Sequence, residues 1–313
     1  MSEVQSALFV GLTVIDSIFE VKEPPGENQK IVADNKLIHA GGPSTNAAIT
    51  ASVLGLNSSL LSAVGEHPIC EIIFEEFRQF NIKHYDVARG DRMLPTMASI
   101  YVNQHNANRS VVVHKTDLRV DLPEIDLSHF QLVMFDGHLM EQSIEIAKEA
   151  RSKGIITVCD GGSWKKGMDQ LMPHLDYLIC SDDFIYKGIE DKKELCTALA
   201  HLGIPHIAIS RGDQPLVYFS NDEYGEIPVE HTEAVIDTLG AGDTLHGAFC
   251  KFILDNKSDF KVALKSAMNI ASKSCEYSGP REWIHQCPKF REQFPATLES
   301  GEGSSANSII PDF

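Results

Sequence analysis

The residues whose types and spacing could do chemistry lie together in AVIDTLGAGDTLHGAF, residues 234–249. Gly240, Ala241 and Gly242 leave the backbone bare at the start of a helical pattern. Consecutive N–H groups can then converge on one concavity, where the helix dipole also favours negative charge. Such a concavity binds anions. Asp243 follows at once, and two readings of it stand side by side. It caps the helix, as Asp commonly does, or it handles a proton beside the bound anion.

The elements that must position these residues begin with ALFVGL (7–12), a short apolar run that reads as a buried parallel strand. It delivers Asp16 to the carboxyl edge of a sheet, where α/β proteins bind ligands. Residues 13–38 alternate loosely around a Pro-Pro-Gly turn at 24–26, and Thr96–Val102 and Ser110–His114 repeat that character across a polar turn at 103–109. These four read as exposed antiparallel strands forming a small β lid. Strands so short need a cover, and a second copy of the chain is the expected one, giving a homodimer. Between them lies AGGPSTN (40–46), running into the small-residue helix AAITASVLG. Gly41-Gly42 permits close approach of a ligand to backbone, with Asn46 at the same opening. A plain Gly-Gly turn before a tightly packed helix is the alternative.

From residue 131 the pattern is regular: LVMFDG, a helix to about 153, IITVCDG, a helix, DYLICS, a helix through 191–203, then HIAIS. Strands alternating with helices predict a three-layer α/β/α fold on a mainly parallel sheet. Asp136-Gly137 and Asp160-Gly161 end two of these strands, as turn residues or ligand contacts. A hairpin follows, with strands at 215–219 and 226–230 around Asn221-Asp222, then helices at 241–256 and 260–277. One domain over 1–295 is expected, with lid strands from 13–38 and 96–115. The Ser/Gly-rich segment at 296–313 reads as a mobile tail.

Among 313 residues, 44 are acidic and 27 basic, a net charge of −17 with no Lys/Arg run, which argues against nucleic acid or an anionic membrane as partner. Seven scattered cysteines without a C-x-x-C pair suit a reducing compartment. With no signal-like N-terminus and no apolar run of membrane length, the expected location is the cytoplasm. The Walker-A and protein-kinase motifs are absent, and the first strand is not followed by G-x-G-x-x-G. The 13 histidines show no H-E-x-x-H spacing, so His39, His138 and His246 read as solvated or pocket-lining.

Residues 237–245 read DTLGAGDTL and residues 41–46 read GGPSTN. In that order and separation they resemble the two signatures of the PfkB, or ribokinase-like, family of carbohydrate and nucleoside kinases, and the resemblance extends from residue 7 to about 290. It implies a ribokinase-like fold and Mg²⁺-dependent transfer of a phosphoryl group from ATP to a hydroxyl of a small sugar. By the same resemblance Asp243 is the base, and the amides of Leu239 to Asp243, those of Gly240, Ala241 and Gly242 among them, hold the transferred group. Asp16, Gly41, Gly42 and Asn46 would bind sugar hydroxyls. Ser210, Gly212, Asp237, Thr238, Asn269 and Gly279 would line the nucleotide site.

The resemblance has departures. Many members carry Asn-x-x-Glu where this chain reads Ser181-Asp182-Asp183-Phe184, leaving Asp183 as the candidate metal ligand. Gly212-Asp213-Gln214-Pro215 lacks the further glycines often found there. A ketose or pentose is the expected substrate. A nucleoside, an anionic sugar drawn to Lys30, Arg109, Lys115 or Arg119, and a non-catalytic sugar- or nucleotide-binding regulator are the alternatives.

Overall fold

Ser6–Val10 forms a strand, β1, buried on both faces. Ala7 and Phe9 pack into one helical layer and Leu8 and Val10 into the other, as the twofold period of a strand requires. The computed structural model describes residues 5–105, 108–230, 235–256 and 259–293. The expected tail at 296–313, residue 234 and part of the turn at 103–109 lie outside them.

After β1 the strands are β2 (Val14–Val21), β3 (Asn35–Gly41), β4 (Asn57–Ser62), β5 (Lys83–Asp86), β6 (Met97–Asn103), β7 (Arg109–His114), β8 (Leu132–Phe135), β9 (Ile156–Gly161), β10 (Tyr177–Ser181), β11 (His206–Arg211), β12 (Gln214–Ser220) and β13 (Glu223–Ile227). The helices are α1 (Pro43–Val53), α2 (Glu71–Gln79), α3 (Met140–Ser152), α4 (Met168–Leu171), α5 (Lys192–Ala200), α6 (Ala241–Asp255), α7 (Phe260–Ser274), α8 (Glu282–Gln286) and α9 (Pro288–Arg291). The large sheet runs β13-β12-β11-β10-β9-β8-β1-β4-β5. It is parallel from β5 to β11 and antiparallel at β12 and β13. Helices α1, α2, α6 and α7 cover one face, and α3, α4 and α5 the other. The expected three layers are present.

The chain leaves β1 toward β4 on one side and reaches β8 on the other only later. That reversal opens a crevice at the carboxyl ends of the strands, and the loops after β1, β8 and β9 line it. The second sheet, β3-β2-β6-β7, is inserted after β1 and again after β5. It corrects one expectation: its strands are not all antiparallel, because β2 and β6 pair in parallel, with Ile15 opposite Met97. Two hairpins distant in sequence meet there, and alternation alone carries no information about which strands pair. Ile18, Ala98, Ile100 and Val102 form its small core.

The hairpin also differs from expectation. Asn221 and Asp222 both have positive φ, 50° and 62°, so they form a two-residue turn that reverses the chain at once. β13 therefore starts at Glu223, not at residue 226. Residues 57–86, given no elements by pattern, hold β4, α2 and β5.

Candidate active site

Asp243 does not cap its helix. Gly240, in the left-handed region at φ +77°, is the N-cap of α6, and among the described residues no side chain caps that first turn. The Asp243 carboxylate instead accepts a hydrogen bond from Asn46 Nδ2 at 2.7 Å. The contact follows from a packing requirement one turn further along. A Cβ at Gly247 would lie 2.2 Å from the Ala47 carbonyl oxygen, so the bare glycine lets α6 approach the backbone of α1. That approach brings Asn46, beside Ala47, against Asp243, four residues before Gly247 on the same helical face. Burial pushes the Asp243 carboxyl up to about 6, and the charge of Asp160 adds to this, against the hydrogen bond from Asn46 and the nearby His246.

The loop before α6 has some of its amides committed. Leu239 N–H donates to Asp237 Oδ1 at 2.9 Å, and Ala241 N–H to the Thr238 carbonyl at 3.2 Å. Among the described residues the N–H groups of Gly240, Gly242 and Asp243 have no protein acceptor, so the concavity is narrower than the sequence implied. Gly242 needs no special φ, and a Cβ built there meets nothing within 4 Å. Neither strain nor packing accounts for glycine at this position. Asp237 Oδ2 accepts from Gly279 N–H at 2.9 Å, so both its oxygens brace backbone and hold the loop against the chain beyond α7. The lid joins the same assembly, since Leu239 packs against its core and Ser278 Oγ donates to Glu20 at 2.6 Å.

Asp16 lies in the middle of the first lid strand rather than in a turn. Its carboxylate covers Gly41, where a Cβ would fall 1.8 Å from Oδ2. Gly42, at φ +102°, would set a Cβ 2.3 Å from the Leu12 carbonyl. Neither position has room for a side chain, Gly41 lying under the Asp16 carboxylate and Gly42 against the chain that follows β1. Burial pushes the Asp16 carboxyl up to about 7, Arg281 opposing and the charges of Asp243 and Glu76 adding. If Asp16 binds the acceptor's hydroxyls, Asp16→Ala raises the sugar KM far more than the ATP KM in steady-state kinetics. Equal effects on both would remove it from the sugar side.

Asp136, buried at the end of β8, holds the scaffold rather than a ligand. Its oxygens accept from the N–H groups of Leu12 (2.9 Å), Ser44 (3.1 Å) and His138 (2.9 Å). Burial works against its charge, but the hydrogen bond and charge of His138, with these backbone donors, hold its carboxyl down at about 2. Asp160, at the end of β9, is buried near Asp243, and its carboxyl is raised by burial. His246, expected to be solvated or pocket-lining, is not solvated. It is 5 % exposed, with Nδ1 2.7 Å from the Gly242 carbonyl, Nε2 3.1 Å from that of Ile179, and Asp160 at 3.7 Å. Lys165 Nζ donates to the Asp136 carbonyl at 3.1 Å, beside Gly137.

Sequence reasoning missed Arg281 and Glu76, which stand directly behind Asn46. No motif marks either: Glu76 sits in an amphipathic helix rich in exposed acids, and Arg281 follows a Ser-Gly-Pro turn. The expected nucleotide residues are more dispersed. Ser210 stands one residue before the end of β11 with Oγ donating to the Cys180 carbonyl at 3.3 Å, Gly212 makes the next turn at φ +63°, and Thr238 and Asn269 are exposed. Asp183 is exposed just after β10, and no group of three or more His, Cys, Asp or Glu is arranged for a metal among the described residues. Nor does any described helix have the length and apolarity to cross a membrane.

Residues 4–287 match the family described as pfkB family carbohydrate kinase. The chain is 20% identical to the ketohexokinase of Mus musculus, covering 88% of this chain and 98% of that one. It is 22% identical to the deoxyribokinase of Salmonella typhi, over 90% and 96%. Its fold is similar to that of the ribokinase of Giardia lamblia (TM-score 0.75, 16% identity, 92% and 98% covered). It is similar as well to the Arabidopsis thaliana ribokinase solved with ribose and ATP (TM-score 0.71, 17% identity, 94% and 100% covered). The chain belongs to the pfkB family of carbohydrate kinases, ATP-dependent enzymes that move a phosphoryl group to an alcohol.

Proposed function

We propose that this kinase phosphorylates a hydroxyl of a neutral ketose or pentose, with Asp243 as the base. The observation that carries the reading is the 2.7 Å bond from Asn46 to Asp243 Oδ2. It orients the carboxylate from one side and leaves Oδ1 for the acceptor's hydroxyl. In the transfer that hydroxyl oxygen attacks the γ-phosphorus, the bond to the bridging oxygen breaks, ADP leaves, and the proton passes to Asp243. Phosphoryl transfer asks mainly for positioning and charge stabilisation. The N–H groups of Gly240, Gly242 and Asp243 would supply the latter to the equatorial oxygens. A carboxyl raised to about 6 is ionised at neutral pH and still basic enough to accept a proton as it is released.

Mg²⁺ would arrive on the nucleotide phosphates, and a single exposed carboxylate, Asp183, suits a cation held mostly by phosphate and water. The ion offsets phosphate charge. Ser210, Gly212, Thr238, Asn269 and Gly279 belong to the nucleotide side of this reading, and Asp237 braces the loop between them.

The charge around Asp16 supports a neutral acceptor. Asp243 and Glu76 lie near it, Asp160 lies near Asp243, and the buried Arg281 already donates to Glu76, Asn46 and the Ala40 carbonyl. Lys30, Arg109, Lys115 and Arg119 are all exposed. β7 is a sheet edge with Val111, Val112 and Val113 at the surface, which a second copy of the lid would cover in a homodimer. The cysteines are all unpaired, as a cytoplasmic enzyme's would be.

An ADP-release screen over ketoses, pentoses, nucleosides and phosphosugars with Mg·ATP tests the reading. Neutral ketoses or pentoses should give the highest kcat/KM. A phosphosugar or nucleoside ahead of every neutral sugar would overturn the substrate class, and no turnover with any acceptor would overturn the transfer itself.

A further inference from the structure

Asn46 has a carboxamide whose two ends differ only in chemistry, and its service to Asp243 depends on which end faces the carboxylate. With Nδ2 forward it donates; with Oδ1 forward, two acceptors would confront each other. Arg281 decides between them. Its Nη2 donates to Asn46 Oδ1 at 2.9 Å and to the Ala40 carbonyl at 2.8 Å, and Nε donates to Glu76 Oε1 at 2.5 Å. A guanidinium has donors only, so the carboxamide must turn its oxygen to Arg281 and its nitrogen to Asp243.

The guanidinium is itself held. Arg281 is 3% exposed, faces the ring of Phe80 at 5.9 Å from its centroid, and lies against its own Pro280 carbonyl. Glu76, 8% exposed on α2, bonds Arg281 through one oxygen and the Ala40 N–H through the other, at 2.5 Å. His39 stands 3.8 Å from Glu76 Oε1. A buried ion pair is weak evidence for stability, since apolar residues often serve as well. Its cost makes sense where it fixes an orientation. We infer that Arg281, held by Glu76, is a positioning residue for phosphoryl transfer: it locks the Asn46 carboxamide so that Asp243 is presented to the acceptor in one orientation. Because it rests on the role proposed for Asp243, the two must be separable by experiment.

Two variants test it in the full-length enzyme, each in the native and the Asn46→Ala background. Glu76→Met/Arg281→Met removes both charges together, so neither is stranded. Arg281→Lys keeps the charge against Glu76 but lacks the planar fork, and it carries the test should the double variant fail to fold. In the native background, kcat falls about tenfold or more with the ATP KM within about twofold, since small misplacements of reacting groups are costly. In the Asn46→Ala background the same changes have no further effect on kcat, because the group they position is gone. Unchanged kcat in a folded variant, or losses that simply add to that of Asn46→Ala, would overturn the inference. Asp243→Asn in the same assay separates the two claims. Full activity of that variant defeats the base, whereas an inactive Asp243→Asn beside fully active Arg281 variants defeats only the positioning role.

Discussion

Asp243→Asn should lower kcat by at least about a hundredfold while the KM values for sugar and ATP stay within a few fold. Asparagine keeps the shape and can still meet Asn46, so the loss isolates the proton acceptor. Near-native turnover would rule Asp243 out as the base. The pH dependence supplies an independent check. Both Asp243 and Asp16 have carboxyls raised by burial, to about 6 and about 7, and both must be ionised in this reading, one to take a proton and the other to accept hydroxyl hydrogen bonds. For the native enzyme kcat/KM is therefore flat only above about pH 8 and falls as pH drops through 7 and then 6. In Asp243→Asn the lower of the two steps disappears from the residual activity.

The same shifts act on stability with the opposite sign. A carboxyl whose folded value lies above its unfolded value of 3.8 binds its proton more tightly when folded. Its contribution is complete below 3.8 and is lost as pH rises through the folded value. Unliganded Asp243→Asn should therefore melt above the native enzyme at pH 8, with the gap closing toward pH 5. A cluster that weakens the fold while sharpening the chemistry is a familiar trade at active sites.

Much of this was legible in the chain because it is written in local pattern. Apolar runs ending in Asp-Gly at β8 and β9 showed where the carboxyl edge of the sheet lies. GGPSTN and DTLGAGD showed which loops approach it. What could not be read was long-range pairing. β2 and β6 are about eighty residues apart in sequence and pair in parallel, which no alternation encodes. Asp237 looked like a ligand contact because of where it stands in a motif, yet both its oxygens hold backbone. Arg281 and Glu76 come from the chain beyond α7 and from α2, and only the fold brings them to Asn46. Each is a charge that sequence statistics assign to the surface. Gly247 was hidden for a related reason, since its role is defined by the Ala47 carbonyl of another helix.

Gly242 allows the sharpest separation of fold from function, because it and the two glycines on either side of it, Gly240 and Gly247, are needed for different reasons. Gly240 sits at φ +77°, so Gly240→Ala should cost about 1 kcal/mol or more in strain and lower Tm along with activity. Gly247→Ala would force its methyl into the Ala47 carbonyl, and it too should destabilise. Gly242 has an ordinary φ and open space where a Cβ would go, in the first turn of a helix that alanine favours. Gly242→Ala should therefore melt at or above the native temperature and yet lose about a hundredfold in kcat/KM for ATP, the methyl standing where a phosphoryl oxygen must approach the amides. Sugar binding, measured without nucleotide, should not change. A Gly242→Ala enzyme with native ATP kinetics would mean that the concavity is not where the transferred group sits. A variant that unfolds would mean that the glycine serves packing, contrary to the open space around it.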